Sequence, residues 1–155
     1  MQYYLQIKDE KILSYSNLPV IDKDIYNSEI NQATYIAYQE TPERFYVEGN
    51  NVIMMDDAQW EEYLNQKEKE RISHLQCTKR VLVLILEQLG KDYFNDIEPL
   101  INNNRQAKLE WELCVELERS NPLLDIIGAQ LDISPEQIDE IFKYANGETE
   151  SLEVL

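Results

Sequence analysis

One stretch limits what this chain can fold into more than any other: Gln66-Lys67-Glu68-Lys69-Glu70-Arg71 contains no apolar side chain. A hydrophobic core cannot be carried through such a run, so the segment must lie outside whatever flanks it. Its alternating charge suits a solvated helix, and it reads as an exposed connector between two modules. Acids interrupt its bases, which removes the reading as a nucleic-acid patch. The chain has 155 residues, enough for one domain or two small modules, and its hydrophobic content of 43% is that of a folding chain.

Before the connector the pattern is one of strands and turns around a helix. Tyr4-Leu5-Gln6-Ile7 and Ile12-Leu13-Ser14-Tyr15 are β-prone runs flanking Lys8-Asp9-Glu10-Lys11, which predicts a hairpin with a four-residue turn. Pro19 closes that segment. Ser28 is placed to cap a helix running to about Gln39, with Ile30, Tyr35 and Tyr38 near one face, stopped before Pro42. Phe45-Tyr46-Val47 and Val52-Ile53-Met54 flank Gly49-Asn50, a second hairpin. Asp56 or Asp57 then starts the connector helix, with Trp60 and Leu64 four apart on a buried face.

After the connector the periodicity is helical. Thr78 to Leu89 is apolar nearly all round its centre, a central buried helix with Gly90 as its stop. Tyr93, Phe94, Ile97, Leu100 and Ile101 make a second stripe, in which Pro99 forces a kink or a new helix start. Gln106 to Arg119 reads as one helix with Leu109, Leu113 and Leu117 on one side and Glu110, Glu112, Glu116 and Glu118 outward. Pro122 opens a helix to Leu131. Ser134-Pro135-Glu136-Gln137 is a capping box ahead of Ile138, Ile141 and Phe142, and Asn146-Gly147 ends that helix. The expectation is an α+β chain: a small N-terminal β-hairpin/helix module over 1–56, a charged helical connector over 57–76, an all-α bundle over 77–147, and a mobile tail over 148–155. The bundle should hold about five short helices.

Chemistry finds little purchase. His74 and Cys77 are three apart and could share a helical face, yet no orienting motif surrounds them, so a surface histidine and a buried thiol are expected. Two distant cysteines and one histidine do not make a zinc site. Asp56-Asp57 and Asp139-Glu140 lack the alternating ligands of a calcium loop, and the four glycines stand too far apart to cradle phosphate. The reading is therefore of a protein that is not an enzyme and takes no cofactor. The N-terminus Met1-Gln2-Tyr3-Tyr4 carries no signal-peptide pattern, and the longest apolar run, Val81 to Leu86, is far below a membrane span. A cytosolic protein is expected.

Charge is the loudest feature of the composition. Fourteen basic residues stand against 30 acidic ones, a net −16. Residues 1–75 carry 7 basic and 14 acidic side chains and residues 76–155 carry 7 and 16, so both halves are acidic. Such a field repels nucleic acid and anionic membranes, and favours solubility or a basic protein partner.

The order of elements resembles that of the small tail-fibre assembly proteins of tailed bacteriophages, which act as chaperones for the receptor-binding end of the fibre. The resemblance runs through "YYLQIKDEKILSYSNLPVID", the D-x-x-I-Y segment "DKDIYNSEINQATYIAYQE", the hairpin "FYVEGNNVIMMDD" and the connector "EYLNQKEKERISHL". The stretch from Cys77 to Glu148 is similar to a helical segment of small prophage tail-region proteins, with its T-K-R start, N-P-L-L turn and S-x-E-Q-I-D final helix. The resemblance implies no catalytic site and a fibre-protein partner whose exposed strand edges are masked until assembly. It also implies work in the host cytosol, or a place in the virion if the protein stays in the particle. Binding would use an apolar patch ringed by acids, with Tyr35, Tyr38 and Tyr46 as contact residues. The alternative is an acidic phage-encoded inhibitor, of the anti-CRISPR or anti-restriction kind. It would imitate DNA with Glu110, Glu112, Glu116 and Glu118 and occupy the basic groove of a host nuclease. Self-association into a homo-oligomer is compatible with either reading.

Overall fold

The computed structural model describes residues 2–17 and 27–152. The chain divides into two compact units, Met1–Asn65 and Gln66–Leu155, and each has its own apolar core. The architecture is α+β. Pro19 and the D-x-x-I-Y segment of Asp22 to Tyr26 lie outside the described residues.

The first unit is built on a three-stranded antiparallel sheet of order β2-β1-β3, from β1 (Gln2–Lys8), β2 (Lys11–Ser16) and β3 (Ser28–Asn31). Leu5 and Ile7 point to one face because they are two apart, and Ile30 of β3 joins them. The first turn is shorter than the pattern predicts. Lys8 pairs with Lys11, leaving only Asp9 and Glu10, both at positive φ as a tight primed turn requires. Leu13 is an extra residue between the pairs Gln6–Ser14 and Ile7–Ile12, a bulge in β2.

Ser28 does not cap a helix. It pairs with Leu5 in β3, and the cap falls to Asn31, whose side chain accepts from the Thr34 amide at 2.9 Å to start α1 (Gln32–Glu40). Burying Ile30 on the sheet outweighs the local helix signal upstream of Asn31. The second hairpin forms as read, with β4 (Phe45–Glu48) and β5 (Asn51–Met54) around Gly49-Asn50. Helix α2 (Asp57–Ser73) includes the charged stretch. Trp60 stacks on Tyr63 and Leu64 is exposed, so they form no buried face; Ile72 is the buried residue of the helix.

The second unit is not all helical. β6 (Gln76–Thr78) and β7 (Glu116–Glu118) pair antiparallel in its middle. Between them run α3 (Lys79–Gln88), a single π turn over Tyr93–Ile97, α4 (Glu98–Asn103) and α5 (Arg105–Leu113). After β7 come α6 (Pro122–Leu131) and α7 (Pro135–Ala145). Pro99 sits in the first turn of α4, where its missing amide costs nothing. Helix α3 is two-faced rather than buried all round: Leu82, Ile85 and Leu86 go inward while Leu84 is exposed. Helix α7 opens with the full capping box of Ser134 and Gln137. Among the described residues beyond it, Glu148 and Leu152 are held in place. Arg71 holds the Glu148 carboxylate at 2.7 and 2.9 Å, and Leu152 packs on the core.

Candidate functional site

The acidic row read onto one helix is not one row. Helix α5 stops at Leu113 and the chain turns extended, because Leu117 reaches the centre of the core through the strand period of two and not the helical period. The ribbon is closed by the Arg119 amide to the Leu75 carbonyl at 2.9 Å. Glu110 and Glu112 therefore lie on a helix and Glu116 and Glu118 on a strand. Three of the four have intramolecular partners. Glu110 accepts from the Gln106 and Asn121 side-chain amides at 3.2 and 3.1 Å. Glu112 lies 3.7 Å from Lys108, and Glu118 is 2.7 Å from His74.

Beside the broken row lies exposed apolar surface. With Ala107 and Trp111 of α5 buried, Leu109 and Leu113 lie one turn apart on its solvent side. Leu113 is 78% exposed, and Val115 in the extended link is 76% exposed. Flanking this stripe are the Lys108–Glu112 pair and the Gln106–Glu110 pair. On the Glu110 side a groove of about 220 Å³ opens between α5 and α6, lined among others by Gln106, Ala107, Glu110, Pro122, Leu123 and Ile126. Ile126 is itself 46% exposed.

The three tyrosines fare differently. Tyr35 stacks on Tyr3 with ring centroids 3.8 Å apart and meets Tyr15 edge-on at 5.0 Å. A hydrogen bond with Tyr15, reinforced by burial, pushes its phenol up to about 12. Tyr38 packs edge-on against Phe45 at 5.7 Å. Both are used inside the first unit. Tyr46 points away from that packing, opposite Ile53, and is exposed.

His74 and Cys77 do not face each other as a reactive pair. The imidazole Nδ1 engages Glu118, while Cys77 is buried in β6 opposite Leu117. Burial pushes the Cys77 thiol up to about 11, and the Glu116 carboxylate adds to the rise. Among the described residues no group of three or more His, Cys, Asp or Glu side chains is placed to hold a metal ion. No helix among them is long and apolar enough to cross a membrane. A polar recess of about 470 Å³ is lined in part by Lys91, Asn95, Asp96, Asn103 and Gln130, with the Lys91 ammonium donating to the Leu131 carbonyl at 2.6 Å.

Two features escaped the sequence reading. Arg119 is buried and donates to Asp139 at 2.6 Å, Asp125 at 3.1 Å and the Pro135 carbonyl at 3.1 Å, joining β7 to α6 and α7. The other is the early end of α5, after which Glu116 to Glu118 form a strand. The available signal was the alternation Val115-Glu116-Leu117-Glu118, which fits a strand as well as a helix. Compared with known proteins, the chain matches no family model, no characterised protein and no solved structure.

Proposed function

We propose that this protein is a binding protein without catalytic activity, a tail-fibre assembly chaperone of the kind its sequence resembles. It works in the host cytosol and covers apolar surface on an unassembled fibre protein. The observation that carries the reading is the stripe of Leu109, Leu113 and Val115, three aliphatic side chains held in water beside acids. Apolar residues grouped in this way mark a contact surface, and a strongly charged body keeps such a surface soluble while it waits. Of Tyr35, Tyr38 and Tyr46, the last is the exposed one and is placed to touch a partner. Tyr35 and Tyr38 act from behind as packing.

The test is co-expression with a tail-fibre gene from the same genome, scored by soluble fibre trimer. Trimer yield should depend on the protein and should collapse when Leu109, Leu113 and Val115 are all changed to serine. Full yield without the protein would sink the reading. Salt separates it from imitation of DNA: affinity for a nuclease groove falls steeply with ionic strength, whereas burial of apolar surface is little changed.

A further inference from the structure

The groove between α5 and α6 deepens the proposed function and rests on it, because its lining defines the chemistry of the segment it would hold. Its volume of about 220 Å³ is below the roughly 300–1,000 Å³ of small-molecule pockets. It suits one large side chain of a protein anchored there. Ala107, Pro122, Leu123 and Ile126 supply apolar contact. Glu110 is the one charged residue among those lining the groove. Its two carboxylate oxygens accept from two neutral amides, Gln106 at 3.2 Å and Asn121 at 3.1 Å, and no cation pairs with it among the described residues. A carboxylate has about four acceptor sites, so this one is oriented by its neighbours yet not neutralised. A second copy of the chain is a poor occupant, since each carries a net charge of −16.

We propose that the groove receives a segment of the partner protein in which a branched aliphatic or aromatic side chain stands beside a lysine or arginine. The apolar group packs on Ala107, Leu123 and Ile126, and the cation meets Glu110. The ion pair selects the partner, and the apolar group supplies most of the attraction.

Selection from a random-peptide library, with the folded full-length protein as bait, tests this. Enriched peptides should carry an apolar side chain next to a lysine or arginine. Their affinity should fall about tenfold on Glu110→Gln, the loss appropriate to one charged hydrogen bond. It should fall comparably on Ile126→Ser, a half-exposed position that tolerates the change. Glu61→Gln, on the exposed face of α2, should leave affinity unchanged. Circular dichroism checks each fold, and Ile126→Ser carries the test alone if Glu110→Gln does not fold. Peptides without a basic residue, binding to both groove variants as tight as to the parent, or no enrichment would overturn the inference. If the groove variants support full trimer yield while the Leu109/Leu113/Val115 serine variant does not, the chaperone reading stands and the groove assignment falls. If trimer yield never depends on the protein, the chaperone reading itself fails.

Discussion

Leu113 and Leu117 stand four apart in a segment that reads as one helix, and they end at opposite extremes: 78% exposed and 0% exposed. The helical period predicts two equivalent core residues. Instead the chain leaves α5 between them, and only Leu117 reaches the core. Leu117→Ala should therefore cost about 2–5 kcal/mol, while Leu113→Ala should stay within about 0.5 kcal/mol; urea melts of the two variants check both figures. Leu84, also expected in the core, is exposed and belongs with Leu113 in this respect. At Cys77 the thiol sits near 11 because its thiolate would be desolvated. Alkylation followed by mass spectrometry should label Cys114 first and reach Cys77 only when the unit unfolds. Fast, pH-independent labelling of Cys77 between pH 6 and 8 would contradict its buried position.

At the scale of elements, caps were more legible than faces. The side chains of Thr78, Asn121 and Ser134 each accept from a first-turn amide, and Gly90 and Gly147 take positive φ just past their helices. These are local interactions among neighbours in sequence, so local pattern reveals them. The packing of α6 on α7 is not local. A Cβ added at Gly128 would lie 2.5 Å from Ile138 Cδ1 and 3.0 Å from the Ile133 carbonyl. Gly128→Ala raises helix propensity by about 1 kcal/mol, but the crowded contact should outweigh this, for a net loss of about 1–2 kcal/mol. Thermal melts of the variant that came out more stable than the parent would show that Ile138 yields freely.

For the whole molecule, two features dominate: two separate cores, and a charge of −16. The second unit fastens the segment just past α7 through Arg71, which contacts Glu68 at 2.8 Å and Glu148 at 2.7 Å. Hydrogen bonds from Arg71 hold both carboxyls below the usual glutamate value of 4.5. A group whose pKa is depressed by folding adds stability above its unfolded value and loses it as pH falls through the folded one. Glu148→Gln should therefore lower Tm at pH 7. The gap between variant and parent should shrink below pH 4.5 and vanish in stronger acid. Both proteins share the relief of self-repulsion on acidification, so the difference between their melts isolates this contact. A gap that is constant with pH would mean that Glu148 acts through packing alone.

From the sequence by itself came the α+β character, the polar run inside α2, the second hairpin, the starts of α3, α6 and α7, and the acidity. All of these depend on residues within a few positions of each other or on composition. Tertiary structure decided where periodicity was ambiguous. Glu116 to Glu118 becomes a strand because the Gln76–Thr78 segment offers it a partner, and Ser28 to Asn31 becomes a strand because β1 does. Pairing across 23 or more residues, as in β1 with β3, or 38 or more, as in β6 with β7, leaves no local trace. The same long-range choice breaks the row of Glu110, Glu112, Glu116 and Glu118 and leaves Leu113 and Val115 in water. A helix or strand pattern states which side chains are apolar, but only the partners found in three dimensions determine which of them are covered.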